Sequence, residues 1–336
     1  MYANEFAKKD GLLRVHLIGH GEEPPKSDAF LLEYQGMFVL IDGGLFDCDA
    51  SLNHLLNIRR ALLTDHEELW EDTDCRLRLT VMISHCHRDH IGALITEIFP
   101  SPYIEVETVY MPPDSVLDKK YGKSGDIKYR SDFARALTEY QPGAGVIDVA
   151  FGAKNRLTIP MSAENDSAPV ITVCPPWINS ADPERVALLI NALKPGEENP
   201  DISTLVVNNN SVWIHIRFGA RTFLFTGDTV KKTKPMGYEM PEEMIEVYAD
   251  TIGGQVDVLK YLHHGYKRDG AADVMMSLSP RYIVLSTHLA TGEEAIRQKY
   301  PENDVKFVNC GPRTHIFACD GEQLTLTTEN GSKKGT

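Results

Sequence analysis

Short runs in which apolar and polar residues alternate fill most of this chain, and clusters of glycine, proline, asparagine and aspartate separate them. That pattern predicts many short strands with a few helices between them. Residues 12–18 alternate as a strand, and 29–34 with 37–41 read as a hairpin around Gln35-Gly36. Further strands are expected at 81–83, 103–110, 146–151, 170–174, 212–218, 222–225, 257–262, 281–286, 305–308, 315–318 and 323–327. Helical spacing appears at 51–70, where Leu52, Leu55, Leu56, Leu62 and Leu63 form one apolar face, and helices are also expected at 131–140, 183–193 and 293–300. A fifth helix start is read at Ile91, directly after a histidine-rich segment. The tail from 330 is polar and is expected to be disordered.

Chemistry concentrates where these strands stop. The run Val81-Met82-Ile83 ends in Ser84-His85-Cys86-His87-Arg88-Asp89-His90, which puts three histidines and an aspartate within six positions. Imidazole and carboxylate at this density suit zinc or a similar divalent ion. Alternate spacing lets His85 and His87 face one position while Asp89 and His90 turn toward another. Three other strand ends carry metal-competent groups: Asp42 before Gly43-Gly44, Asp228 after Thr226-Gly227, and His263-His264 before Gly265. Two adjacent ions need a bridging carboxylate and donors from several elements, and Asp228 is the candidate bridge. Asp42 is expected to lie under the site. His54 and His66 read as ordinary helix residues, and His16, His20, His215 and His315 as strand or loop residues, with His20, on a loop expected near Asp42, the first candidate for an exception.

Composition narrows the setting. With 336 residues and 42% hydrophobic content the chain can bury a large core, and its net charge of -14 argues against broad electrostatic adhesion to nucleic acid or anionic membrane. Six widely spaced cysteines form no CxxC pair, and no apolar run is long enough to span a bilayer, so a reduced, cytoplasmic protein without a membrane anchor is expected. No linker or repeat divides the chain. One domain over residues 1–329 is expected, with the helix at 183–193 as an insertion.

The HxHxDH segment resembles the mark of the metallo-β-lactamase superfamily. Within it the chain resembles the hydrolase domain of ComEC-type DNA-uptake proteins: Asn208 to Ser211 leads through a strand into Leu224-Phe225-Thr226-Gly227-Asp228, and Asp257-Val258-Leu259-Lys260 leads into His263-His264-Gly265. Tyr266 departs from the serine usual after that glycine. The resemblance implies a four-layer αββα sandwich with two mixed sheets and metals at one edge. It implies His85 and His87 as ligands of a first ion, Asp89 and His90 of a second, Asp228 as bridge and His264 as distal ligand, with His263 competing for that role. Residues 100–207 hold no histidine, so the third histidine of many relatives has no counterpart and the first ion is expected to be under-ligated.

The expected cofactor is one or two divalent ions, zinc or manganese. The expected activity is hydrolysis of a phosphodiester in nucleic acid or nucleotide by a metal-activated hydroxide, with Asp89 and His288 as candidate catalytic groups. Lys231, Lys232 and Lys234 follow Asp228, and Lys267 and Arg268 follow Gly265, which suggests a basic rim for phosphate. Two other readings stand beside this one: a hydrolase of a small carboxylic ester or lactone, and an effector subunit of a larger assembly.

Overall fold

A computed structural model of the chain describes residues 1–21, 26–112, 124–149, 156–174, 207–230, 232–233, 238–239, 252–266, 271–287, 291–311 and 313–329. The helix expected at 183–193 and the tail from 330 lie outside them.

The strands form two large mixed sheets. The first contains β1 (Leu13–Leu17), β2 (Phe30–Tyr34), β3 (Met37–Ile41), β4 (Leu77–Met82), β5 (Ile104–Met111), β6 (Gly145–Asp148), β16 (His315–Cys319) and β17 (Leu324–Thr328), in the order β17-β16-β1-β2-β3-β4-β5-β6. The second contains β7 (Leu157–Pro160), β8 (Val170–Cys174), β9 (Trp213–Phe218), β10 (Arg221–Phe225), β13 (Val258–Lys260), β14 (Tyr282–Leu285) and β15 (Lys306–Asn309), in the order β15-β14-β13-β10-β9-β8-β7. A small antiparallel pair, β11 (Lys232–Thr233) with β12 (Tyr238–Glu239), stands apart. The helices are α1 (Ala50–Leu62), α2 (Arg88–Ala93), α3 (Ser124–Tyr140), α4 (Ala272–Ser277) and α5 (Thr291–Lys299).

Strand alternation sorts the apolar residues into layers. Val39 and Ile41 of β3 meet Phe223 and Phe225 of β10 in a core between the sheets, which also holds Val15, Phe30, Ile214 and Phe317. Phe38 and Leu40 of β3 face outward instead, against Leu55 of α1, Ile91 of α2 and Phe133 of α3. On the far side Leu224 and Leu259 pack with Val274 and Met275 of α4 and Ile296 of α5. Helix, sheet, sheet and helix are the four layers that the resemblance implied. β4 is buried along nearly its whole length, as a parallel strand covered on both faces must be.

Some boundaries differ from the expectations. The helix read at 51–70 stops at Leu62, and a separate 3-10 turn covers Glu67–Leu69. Its cause is Arg59, which is buried on α1 and donates to the carbonyls of Leu69, Trp70, Asp72 and Cys75, folding the following chain back over it. Leu63 and Trp70 accordingly pack in a small cluster with Ala3 and Cys75 rather than continue the helix. α3 begins at Ser124, seven residues earlier than read. None of the six cysteines is in a disulfide, and among the described residues no helix is long and apolar enough to cross a membrane.

Candidate metal centre

β3 runs parallel to β4, and β10, β13 and β14 run parallel to one another. Asp42 follows β3, Ser84 to His90 follow β4, Asp228 follows β10, His263 and His264 follow β13, and Ser286 follows β14. Side chains just beyond the carboxyl ends of parallel strands share one edge of the sandwich, where an α/β protein has room for a site.

The segment after β4 is partly helical. α2 begins at Arg88, so Asp89 and His90 sit on its first turn rather than in a loop. The Asp42-Gly43-Gly44 turn clamps that helix: the amides of Gly43 and Gly44 both donate to the His90 carbonyl, and Ala93 donates to Gly44. A Cβ on Gly43 would lie 2.4 Å from Leu94 Cγ, so only glycine admits this approach. After β13 the chain makes a tight turn in which His263 (φ 47°) and His264 (φ 60°) both adopt left-handed conformations.

Two imidazoles are held alike. His90 Nδ1 lies 2.8 Å from Asp42 Oδ2, while Asp42 also accepts from the Ser84 amide and hydroxyl at 2.8 and 2.7 Å. His264 Nδ1 lies 3.0 Å from both Asp28 Oδ1 and Ser286 Oγ. A carboxylate on Nδ1 fixes the ring and leaves Nε2 as the donor to a cation. Both Nε2 atoms converge on Asp228: His90 Nε2 is 3.2 Å from its Oδ1, and His264 Nε2 is 3.0 Å from its Oδ2 and 3.2 Å from Asp89 Oδ2. His90 Nε2, His264 Nε2 and Asp228 Oδ2 are buried and form no well-aligned hydrogen bond. Three orphaned polar atoms facing one another in a protein interior fit a bound cation.

Two groups of donor atoms close enough to share an ion result. One joins Asp28, His90, Asp228 and His264; the other joins His85, His87 and Asp228. Asp228 belongs to both. Asp28 Oδ1 meets His264 Nδ1 and its Oδ2 lies 2.7 Å from Lys260 Nζ, which places this carboxylate behind the His264 ring, whereas Asp89 Oδ2 lies 3.2 Å from His264 Nε2. In the other group His85 Nε2 is 3.0 Å from His87 Nδ1 and 3.9 Å from Asp228 Oδ2. His263 Nε2 is 3.8 Å from the same oxygen, so both members of the histidine pair reach Asp228, His264 more closely.

Electrostatics follow from this packing. Burial works against charge on His90, yet Asp228, Asp42 and Asp28 outweigh it and hold the ring's pKa well above the ordinary value. His264 is raised to about 9 by Asp228 and Asp28 against its burial. Burial lowers His85 far below its ordinary value, helped by His90 and His87, so His85 is neutral. Burial would raise Asp228, but His264, His90 and Lys260 together hold its carboxyl well below the usual range. Lys260 is fully buried, donates to the Gly227 carbonyl at 2.7 Å and lies 3.4 Å from Asp228 Oδ1.

Asp28, Lys26 and Lys260 are the neighbours that sequence reading missed as site groups. Lys26 Nζ lies 2.8 Å from Asp89 Oδ2. Lys260 was visible within a motif, but nothing local marked its role. The motif Asn208 to Ser211 holds the Asp228 turn, since Ser211 Oγ accepts from the Asp228 amide and Asn209 Oδ1 from the Val230 amide. His288, Lys231, Lys234, Lys267 and Arg268 lie outside the described residues, as does the side chain of Lys232.

No protein-family model matches the chain, and no curated protein matches it. Solved structures do. The metallo-β-lactamase fold protein YhfI from Bacillus subtilis is 12% identical, with 92% of this chain and 99% of that one covered at a TM-score of 0.47. Zinc-bound PqqB from Methylobacterium extorquens is 10% identical, covering 90% and 99% at 0.43. The short form of human tRNase Z is 13% identical, covering 82% and 92% at 0.40.

Proposed function

We propose that the chain is a metal-dependent hydrolase, organised as one domain over residues 1–329, that cleaves a phosphodiester in nucleic acid or nucleotide. One observation carries the reading: two imidazoles, each locked through Nδ1 by a buried carboxylate, direct their unpartnered Nε2 atoms at Asp228. His90, His264 and Asp228, joined by Asp89 beside His264 Nε2, would hold one divalent ion, zinc or manganese, and His85, His87 and Asp228 another, with His263 within reach of the second group. Bound divalent ions supply the positive charge that activates water and stabilises a leaving oxygen. The chain's own residues supply the rest. Asp42 and Asp28 keep the rings in register, Asp228 and Asp89 stay ionised, and burial shields His85, His90, His264 and Asp228 from bulk water.

The phosphodiester choice is supported by the sequence resemblance to ComEC-type hydrolase domains and by the basic residues Lys231, Lys232, Lys267 and Arg268 that follow two of the donor motifs. His288 is retained as the candidate leaving-group contact. Metal analysis of purified protein, with bis-p-nitrophenyl phosphate and single-stranded DNA assayed against acyl esters, tests the reading. Hydrolysis of the diesters with manganese or zinc is expected, and Asp228→Asn should lower metal content at both groups of donors and activity by at least about a hundred-fold. Wild-type cleavage of uncharged esters alone would replace the phosphodiester reading with the small-ester one.

A further inference from the structure

We propose that Lys26 binds a charged oxygen of the substrate beside the metal centre, an assignment that rests on the metal-dependent hydrolase reading. Its Nζ lies 2.8 Å from Asp89 Oδ2, and the Lys26 side chain is 35% exposed while that of Asp89 is 6% exposed. The backbone of Lys26 bridges Thr287, the residue after the Ser286 that bonds His264, so the lysine is anchored at the same edge as the donors. Lys260 offers a contrast. It is fully buried against Asp28 and the Gly227 carbonyl and cannot meet a ligand. Lys26 has a carboxylate on one side and solvent on the other.

A divalent ion drawing on Asp89 would repel an ammonium resting on the same oxygen, and an anionic group at the edge relieves that repulsion by pairing with both cations. The ligand class is an oxyanion carried next to the scissile bond, such as a non-bridging phosphodiester oxygen.

The test uses the full chain loaded with manganese, as wild type, Lys26→Met and Lys26→Arg. Manganese and then inorganic phosphate are titrated by calorimetry, and bis-p-nitrophenyl phosphate is compared with the neutral p-nitrophenyl acetate. Lys26→Met should bind phosphate roughly ten-fold more weakly and raise KM for the diester by a similar factor, reducing the preference for the charged substrate. Manganese should bind that variant as tightly as wild type or more so, and Lys26→Arg should recover phosphate binding. Weaker manganese binding in Lys26→Met would mean that the lysine only orients Asp89, and would overturn the assignment. Unchanged phosphate affinity with manganese bound overturns it equally. A wild type that takes up neither manganese nor zinc overturns the hydrolase reading and this assignment together.

Discussion

Asp28 pairs through one oxygen with His264 Nδ1 and through the other with Lys260 Nζ, all three fully buried or nearly so. Asp28→Asn keeps the shape and removes the charge, leaving either the ring N–H or the ammonium without an acceptor. Breaking such a buried pair costs about 3–5 kcal/mol, and loss of the carboxylate behind a ligating ring costs about 10–100-fold in metal affinity. Urea denaturation and metal calorimetry on the variant should show both. A fall in stability with unchanged metal affinity would confine Asp28 to the fold. Nothing in Ser27-Asp28-Ala29 announces this role, because the residues that give it meaning stand more than two hundred positions away. The HxHxDH segment was legible for the opposite reason: its donors are neighbours in sequence.

Among the elements, the turns after strands carry the site, and their geometry decides what side chains can do. Gly227 has φ +55°, and a Cβ there would lie 2.7 Å from Ser211 Oγ and 3.0 Å from Ser84 Cβ. Gly227→Ala should therefore destabilise the protein by about 1–3 kcal/mol and weaken metal binding through displacement of Asp228, read by thermal unfolding and metal titration. A variant with wild-type melting and metal content would show that the turn yields freely. The same kind of geometry explains why sequence left His263 and His264 unresolved. Both take left-handed conformations after β13, which brings both rings toward one carboxylate, and a dipeptide in sequence carries no sign of that turn. The end of α1 was misread similarly, because the apolar spacing continues past Leu62 while the stop comes from Arg59 capturing distant carbonyls.

At the scale of the whole molecule, acid sensitivity has a source remote from the metal centre. His54 of α1 lies 3.1 Å from His16 of β1, whose other nitrogen is 3.3 Å from Glu33, and Glu329 lies 3.8 Å from His54 on its outer side. Burial and then His16 depress the pKa of His54 from 6.5 to about 3. The unfolded chain therefore takes up a proton below pH 6.5 that the folded chain refuses until about pH 3. Stability present above pH 6.5 is lost progressively as pH falls across that window, by an amount on the order of a few kcal/mol. His54→Gln should flatten this dependence in urea titrations between pH 6.5 and 4. An unchanged slope would place the acid sensitivity elsewhere.

Local information sufficed for the strand and helix pattern and for the metal-competent groups at strand ends, since each is written in spacing along a short stretch: period two for strands, alternate histidines after a buried strand, and carboxylates before glycines; the layered class came from the resemblance in motif order instead. Tertiary structure alone decided which parallel strands end at one edge, that Asp28 and Asp42 lock opposite rings, and that Lys26 meets Asp89. Those relations join residues far apart in the chain, and their energies arise from burial and short charge–charge distances that exist only once the two sheets have packed.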